Sequence, residues 1–410
     1  MLDIKFIREN SEKVKKGIQN RGFNIDIDRL LKIDEQRRGL IQEVQSLQAQ
    51  KNKLNQNNIQ EAREIKEKIQ KIEPELEKAE KEFEEIMFQI PNLSLDEVPI
   101  GKEAKDNVVL REVNTKPKFD FPPKDYLEIA EKLDIIDVKR AAKVAGSRFG
   151  YIKNEAVLLQ FALVNLAFEV LKKQKFEPII PPVMLKSEMA KGMGYLEQAS
   201  KEEAYYLPKD DLYLVGTSEQ SIGAMHADEV FQENDLPKKY VGYSTCFRRE
   251  AGAHGKDTKG ILRVHQFDKI EMFVFCKPED SKKEHQLLLK IEEELMQVLK
   301  LPYRVVQLCG GDSGLPSAST IDIETWMPGQ NQYRETHSTS NCTDFQARRL
   351  NIRYKNKAGQ VEFVHMLNGT VFAIPRILIS IIENYQQKDG SVNIPEVLQK
   401  YTGFSKIQPK

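Results

Sequence analysis

YSTCFRRE (residues 243–250), AGAHGKDTKG (251–260) and ILRVHQFDKIEMFVF (261–275) read as two β-strands around a charged loop punctuated by glycine. Strand side chains alternate between faces, so Ser244, Cys246, Arg248 and Glu250 share one side of the first strand. Arg263, His265, Phe267, Lys269 and Glu271 share a side of the return strand. Charges in strands this apolar are costly to bury unless something charged docks against them. A ligand with phosphates and an aromatic ring would engage them all, with arginines for phosphate, Phe267 as a stacking plate and acids for an amine. A solvated hairpin with cross-strand ion pairs would show the same pattern, and the hairpin alone leaves the two readings level.

Working outward, the 410 residues are too many for one small core and suggest two domains or more. Lys+Arg and Asp+Glu number 62 each, so the formal net charge is zero and any nucleic-acid partner must be held by local positive charge. Cys246, Cys276, Cys309 and Cys342 form no CxxC pair, which argues against a disulfide framework and a structural zinc site. The opening MLDIKFIREN is charged from its third residue and has no signal-peptide core. The most apolar segment, residues 156–171, is interrupted by Gln160, Asn165 and Glu169 and falls short of a membrane span. The expectation is a soluble, reduced, cytoplasmic protein with no membrane partner.

Residues 1–22 read as one short amphipathic helix ending near Gly22. A long helix follows over 28–56, with Ile33, Leu40, Val44, Leu47 and Leu54 in 3,4 spacing and polar Arg37 and Lys51 at the gaps. After Asn57-Asn58, a second helix carries an uninterrupted heptad seam of Ile65, Ile69, Ile72, Leu76, Ala79, Phe83, Ile86 and Ile90. Two helices joined by a tight polar turn predict an antiparallel arm roughly 45 Å long, kinked or locally opened at Pro74. Off the seam almost every position is charged or amide, so the arm stands in solvent. Such arms commonly dimerise or space domains. The second helix concentrates acids between Glu73 and Glu85, which leaves the distal half, with Lys51, Lys53, Arg63, Lys66, Lys68 and Lys71, as the phosphate-contacting part.

Residues 92–118 read as a polar connector, and a compact domain begins at Phe119. Helices are predicted over 125–133, 137–145, 155–173, 278–299 and 375–387. The 155–173 helix is apolar nearly all round, so it should be buried on several sides, against another subunit among them. Strands are predicted over 176–180, 204–207, 212–215, 240–247, 262–275, 303–307, 320–326, 332–338 and 361–367. Short turns such as Pro328-Gly329 and Ala358-Gly359 join many of them. This is an α+β pattern, an antiparallel sheet with helices packed on it. Neither GxxxxGK[ST] nor a strand–GxGxxG–helix occurs.

Four stretches carry the chemistry: TSE at 217–219, CFRREAG at 246–252, YRETHSTSNCTDFQARR at 333–349 and LNGTVFAIPR at 367–376. In this order and spacing, behind a coiled-coil arm, they resemble the class II seryl-tRNA synthetases over essentially the whole chain. AAKVAGSRF, GKDTKG–RVHQFDKIE, WMPGQNQYRE and IIENYQ add to the resemblance. It implies an N-terminal tRNA-binding domain over 1–100 with its arm at about 27–90, a connector over 101–118 and a catalytic domain over 119–410.

The resemblance implies activation of L-serine by ATP to seryl-adenylate, then transfer to tRNA(Ser), and by the same token to tRNA(Sec), on a homodimer. Arg248 and Arg376 are the implied catalytic residues. Arg248 bridges the α-phosphate and the substrate carboxylate, as its fork suits both oxyanions. Arg249 and Glu250 belong to the ATP site, with Glu250 accepting the adenine amine. Phe267 and Arg376 sandwich the ring, Arg263 meets the γ-phosphate and Val264 lies beside the nucleotide. Glu335 and Ser338, with Thr336 and His337 between them, resemble the family's Mg2+-binding segment. Three residues apart, the two would sit on opposite faces of a regular strand, so a bulge near Thr336-His337 is required, or else only one binds metal directly. Serine's ammonium falls to Thr217 and Glu219, with Ser218 between them also in the serine site, Glu271 reads the ammonium or the hydroxyl, and Asn368 and Thr370 line the side-chain pocket. TSEQ at 217–220 also reads as a capping box opening a helix over 219–226. Arg376 is informative by itself, because a cation in the first turn of a helix opposes the dipole and is retained for a ligand.

The chain departs from the family's usual pattern at Thr370-Val371 and Pro375, where small glycines often stand, and in a shorter arm. His254 and His337 read as loop histidines. Two other functions fit parts of the sequence: an enzyme charging a carrier protein, which would lack the arm, and a non-catalytic coiled-coil protein, which would have lost Arg248, Glu250, Glu335 or Arg376.

Overall fold

Asn10 divides the predicted first helix in two. Its backbone N–H and its side-chain amide both donate to the Phe6 carbonyl, at 2.9 and 3.1 Å, so the chain turns between α1 (Ile4–Glu9) and α2 (Ser11–Asn20). In the computed structural model, residues 1–54, 58–196, 202–251, 257 and 259–409 are described, in two units, Met1–Leu93 and Ser94–Lys410. Asn57 of the predicted arm turn, and residues 252–256 and 258 of the predicted hairpin loop, His254 among them, lie outside the described residues.

In the first unit, α3 (Ile27–Lys53) starts at Asp26, whose side chain accepts from the Arg29 N–H, a cap worth about 1 kcal/mol. It packs along α4 (Ile59–Gln89), which continues through Pro74. The arm's base is a small apolar core of Ile7, Val14, Ile18, Ile27, Leu30, Met87 and Ile90. Arg37, polar at a seam position, lies over the Phe83 ring at 4.3 Å and reaches Asp34 at 3.4 Å. Asp34 is fully buried and also receives Arg8 and Arg38. The proximal arginines are thus engaged within the unit, whereas Lys51, Lys53, Arg63, Lys66, Lys68 and Lys71 stand exposed.

The second unit is built on an eight-stranded sheet among the described residues. In chain order its strands are β1 (Val108–Val113), β2 (Glu177–Ile179), β3 (Lys238–Phe247), β4 (Gln266–Cys276), β5 (Tyr303–Gln307), β6 (Ser319–Met327), β7 (Gln332–Asn341) and β8 (His365–Ala373). Across the sheet they run β1-β5-β6-β7-β8-β4-β3-β2, antiparallel except for the β2–β3 pair. Helices used below are α5 (Tyr126–Leu133), α6 (Glu155–Lys173), α7 (Glu219–Ala224), α8 (Ser281–Val298) and α9 (Ile374–Asn384).

Three expectations of the sheet change. Residues 108–113, read as connector, form edge strand β1, paired with β5 and mostly exposed. The third motif, expected to leave its strand at Leu367, stays extended to Ala373, because β8 lies between β4 and β7 and its ladder bonds override the weak strand preference of Asn368-Gly369. The predicted strand over 262–275 begins only at Gln266, so Arg263 and His265 precede it.

Alternation on β4 places the site. Met272 and Val274 enter the core formed with α6, α8 and α9, while Phe273 and Phe275 enter a second core on the opposite face with Val215, Ile222 and Met366. Phe267, Lys269 and Glu271 have the parity of Phe273, so they carry that second face onward into a cavity.

Candidate active site

The cavity, about 370 Å3, is walled by β4, β6, β7 and β8, the start of α9 and the segments flanking the predicted hairpin loop. Thr217, Glu219, Arg248, Glu250, Arg263, Val264, Phe267, Glu271, Glu335, Thr336, Ser338, Asn368, Thr370 and Arg376 all line it.

Its floor is a connected polar network. Lys269 Nζ lies 2.6 Å from Glu271 Oε2 and 3.4 Å from Thr217 Oγ1. Thr370 Oγ1 donates to the same Glu271 oxygen at 3.4 Å, and Asn368 Nδ2 donates to Glu219 Oε1 at 3.2 Å. Register explains the meeting, since Glu271 pairs with Gly242 on one side and Thr370 on the other. Burial, and then the charge of Glu271, push the Glu219 carboxyl up to about 7, against the pull of Lys269, Tyr195 and Arg248. Burial also raises Glu271, with Lys269 opposing it. Two buried acids beside one lysine make a floor short of positive charge, suited to an incoming ammonium.

Glu219 opens α7, but not through a capping box. Ser218 occupies the N-cap with no side-chain bond, and Gln220 Oε1 instead accepts from the Gly216 N–H at 2.9 Å. The helix ends at Ala224, two residues before the expected His226.

At the other end of the cavity, Arg248 donates from Nε to the Gly216 carbonyl at 3.1 Å, and its guanidinium carbon stands 5.4 Å from the Phe267 ring centroid. Its backbone N–H donates to the His265 carbonyl at 3.0 Å, extending the β3–β4 pairing one step past the strands. Glu250 has φ +53° and receives Arg263 Nη1 at 3.4 Å. Arg376 Nη1 meets Glu335 twice, at the carboxylate (3.0 Å) and at the backbone carbonyl (2.9 Å). Partial burial pushes the Glu335 carboxyl up, but Arg376, Arg248 and Lys269 outweigh it and hold it below the usual range.

Glu335 and Ser338 share the cavity because the β6–β7 register slips between them. His337 pairs with Ile323 and Glu335 with Glu324, leaving Thr336 as the extra residue of a bulge. Thr336 turns its hydroxyl to Thr325 Oγ1 at 2.7 Å.

Three other predicted site residues have side chains away from the cavity lining. Ser218 is buried against Gly242, where a Cβ would come within 3.1 Å of its hydroxyl. Arg249 donates from Nε to the Ala204 carbonyl and lies over Tyr205. His337, expected in a loop, lies inside β7, where its ring is buried 5.9 Å from Phe372 and desolvation pushes its pKa down to about 3, so it stays neutral. Tyr195 and Asp322 line the cavity without having been singled out, and Lys269 does so with no role assigned beyond its place on the charged face of the return strand. For Lys269 the signal was a lysine inside the apolar run of β4; for Asp322 it was an acid between the two isoleucines of TIDIE; Tyr195 gave none. Burial, and then Glu335, raise the Asp322 carboxyl well above its usual range.

Two family models match this chain: the seryl-tRNA synthetase N-terminal domain over residues 1–94, and the tRNA synthetase class II core domain (G, H, P, S and T) over residues 205–385. The serine–tRNA ligase of Dictyoglomus turgidum is 45% identical over 424 residues, covering 100% of both chains. The chain belongs to the seryl-tRNA synthetases. The serine–tRNA ligase of Treponema denticola is likewise 45% identical, over 99% of this chain and 100% of its own. Among solved structures, seryl-tRNA synthetase from Pyrococcus horikoshii complexed with ATP superposes with TM-score 0.93 at 40% identity over 100% of both chains. The cytoplasmic serine–tRNA ligase from Naegleria fowleri in complex with AMP gives 0.89 at 36% identity, over 100% of this chain and 99% of that one. This seryl-tRNA synthetase is a serine–tRNA ligase that uses serine, ATP and tRNA(Ser). Among the described residues, no helix is long and apolar enough to cross a membrane.

Proposed function

We propose that the cavity holds serine and ATP in one extended line, serine on the Thr217–Lys269–Glu271–Thr370 floor and adenine between Phe267 and Arg376. What carries this reading is that Phe267, Arg376 and Arg248 line one cavity continuous with that floor. Glu219 takes the ammonium. Glu271 and Thr370 hold the side-chain hydroxyl, a buried partner that alanine would leave unsatisfied, while the volume beside Asn368 excludes threonine.

In the first step a serine carboxylate oxygen attacks the α-phosphorus, the bond to the bridging oxygen breaks, and pyrophosphate leaves. In the second, the 3′-terminal hydroxyl of tRNA attacks the seryl carbonyl and AMP leaves. Neither step requires a protein nucleophile. Arg248 aligns the two oxyanions and stabilises the charge that develops between them. Arg263 receives the γ-phosphate and Glu250 the adenine amine. The side chains of Ser218, Arg249 and His337 support these groups from outside the cavity lining.

Glu335 and Ser338 fit a hard cation, since the bulge at Thr336 brings a carboxylate and a hydroxyl to the same cavity. They would hold Mg2+, which when bound neutralises phosphate charge.

The assembly proposed is a cytoplasmic homodimer. On α6, Leu158 and Phe161 are 51% and 49% exposed although the helix is apolar nearly all round, and Ile180 after β2 is 81% exposed. A second copy is the occupant of that face. The exposed lysines and Arg63 of the distal arm grip the long variable arm of tRNA(Ser), and of tRNA(Sec), by shape and phosphates.

Calorimetry with a non-hydrolysable seryl-adenylate analogue tests the reading. Phe267→Ala and Arg376→Ala should each weaken binding about tenfold; unchanged affinity in both would refute the placement of adenine.

A further inference from the structure

Tyr126, at the start of α5, does not line the cavity, yet it touches elements that form two of its walls. Its ring is buried, 4% exposed, and its phenolic oxygen accepts from the Ile261 N–H at 2.8 Å. Ile261 begins the run Ile261–Val264, all four of which line the cavity. Just before it, Gly260 has φ +78°, and a Cβ there would fall 1.8 Å from the Tyr126 oxygen. The phenol therefore occupies the space that any side chain at 260 would need.

The other end of Tyr126 ties to the opposite wall. Its backbone N–H donates to Glu383 Oε1 at 3.2 Å, and Glu383 lies on α9, the helix that begins beside Arg376. The second Glu383 oxygen accepts from the Gly329 N–H at 2.8 Å, in the turn joining β6 to β7. Next to Tyr126, the Lys124 N–H donates to Gln386 Oε1 at 2.7 Å, just beyond the end of α9.

We infer that Tyr126 is a positioning residue for nucleotide binding: its hydroxyl fixes Ile261–Val264, and so Arg263 and Val264, against the helix that carries Arg376. The physical cause is local. Ile261 is 2% exposed, so without the phenolic oxygen its N–H loses its partner in a place water does not readily reach. The segment then shifts to find another acceptor, and Arg263 moves with it. The serine floor lies on β4, β8 and α7, to which Tyr126 makes no hydrogen bond among the described residues, so serine binding is not expected to change.

This inference rests on the assignment of Arg263 and Val264 to ATP, and the test separates the two. Steady-state pyrophosphate exchange is measured on full-length Tyr126→Phe and Arg263→Ala, varying ATP and serine in turn. Amide hydrogen exchange at Ile261 is followed in Tyr126→Phe and the unaltered enzyme. Expected for Tyr126→Phe are a KM for ATP raised about five- to tenfold, a KM for serine within twofold, and faster exchange at Ile261. A shift in both KM values alike would mean general loosening and would overturn the positioning role, as would no shift in either. An unchanged KM for ATP in Arg263→Ala would overturn the site assignment itself, whatever Tyr126→Phe does.

Discussion

Lys269 and Glu271 stand two residues apart on one face of β4 and form an ion pair at 2.6 Å, with side chains 10% and 1% exposed. The pair is the charge centre of the cavity floor, and Glu219 depends on it. Replacing Lys269 by Met leaves two buried acids without their cation. The expected cost is about 3 kcal/mol in urea unfolding at neutral pH. The loss should shrink as the pH is lowered and the acids take up protons. A loss that does not vary with pH would point to packing as its cause.

Serine binding should depend on pH through Glu219, whose carboxyl is raised to about 7 by burial. An ammonium is attracted by the ionised form, so the KM for serine should fall as pH rises, by about tenfold between about pH 6 and 8, with little change in the KM for ATP. The same shift favours the protonated acid in the folded state. The unliganded enzyme should therefore lose stability as pH climbs from the ordinary carboxylate range through 7, and serine should restore it. Glu219→Gln should flatten both profiles.

Arg248→Ala should reduce pyrophosphate exchange by about a thousandfold if one preorganised donor supplies about 4 kcal/mol. Because Arg248 also donates to the Gly216 carbonyl, Arg248→Lys should fold normally yet recover little activity, a point charge being unable to make both contacts.

Excising residues 41–75 and joining the stumps by a short turn spares the arm's basal core, Ile27, Leu30, Met87 and Ile90 included. Pyrophosphate exchange should persist while aminoacylation of tRNA(Ser) falls by two orders of magnitude or so. Normal charging by the shortened enzyme would remove the arm from tRNA recognition.

What the sequence made legible follows the strength of the local signal. The α6 helix and β5 run over the residues expected from the sequence, 155–173 and 303–307, and of the two alternatives that counting faces left for Glu335 and Ser338, a bulge or a single metal-binding residue, the bulge is present. β1 was not visible because Val108–Val113 is a mostly exposed edge strand whose partner, β5, lies almost two hundred residues later. The extension of β8 was hidden by its Asn and Gly, poor strand formers until β4 and β7 enclose them. Most residues that the motifs singled out line one cavity, but Tyr195 and Asp322 joined them only when separate strands and helices met around it. Tyr126 went unread for the same reason, its partner Ile261 being 135 positions away.

The extra residue at Thr336 has a consequence for how this protein tolerates change in length. Ser338 and Ser340 face Asp322 and Thr320 across the ladder, while Glu335 belongs to the other parity and joins them only through the slip. Losing one codon at 336 would leave Glu335 opposite Glu324, His337 opposite Ile323 and Ser338 opposite Asp322, a regular ladder with both oxygen donors still on one face. Losing the codons of 336 and 337 together would make the two donors direct neighbours and set them on opposite faces. At this point spacing matters as much as residue identity, and a two-residue deletion should do more harm than a one-residue deletion.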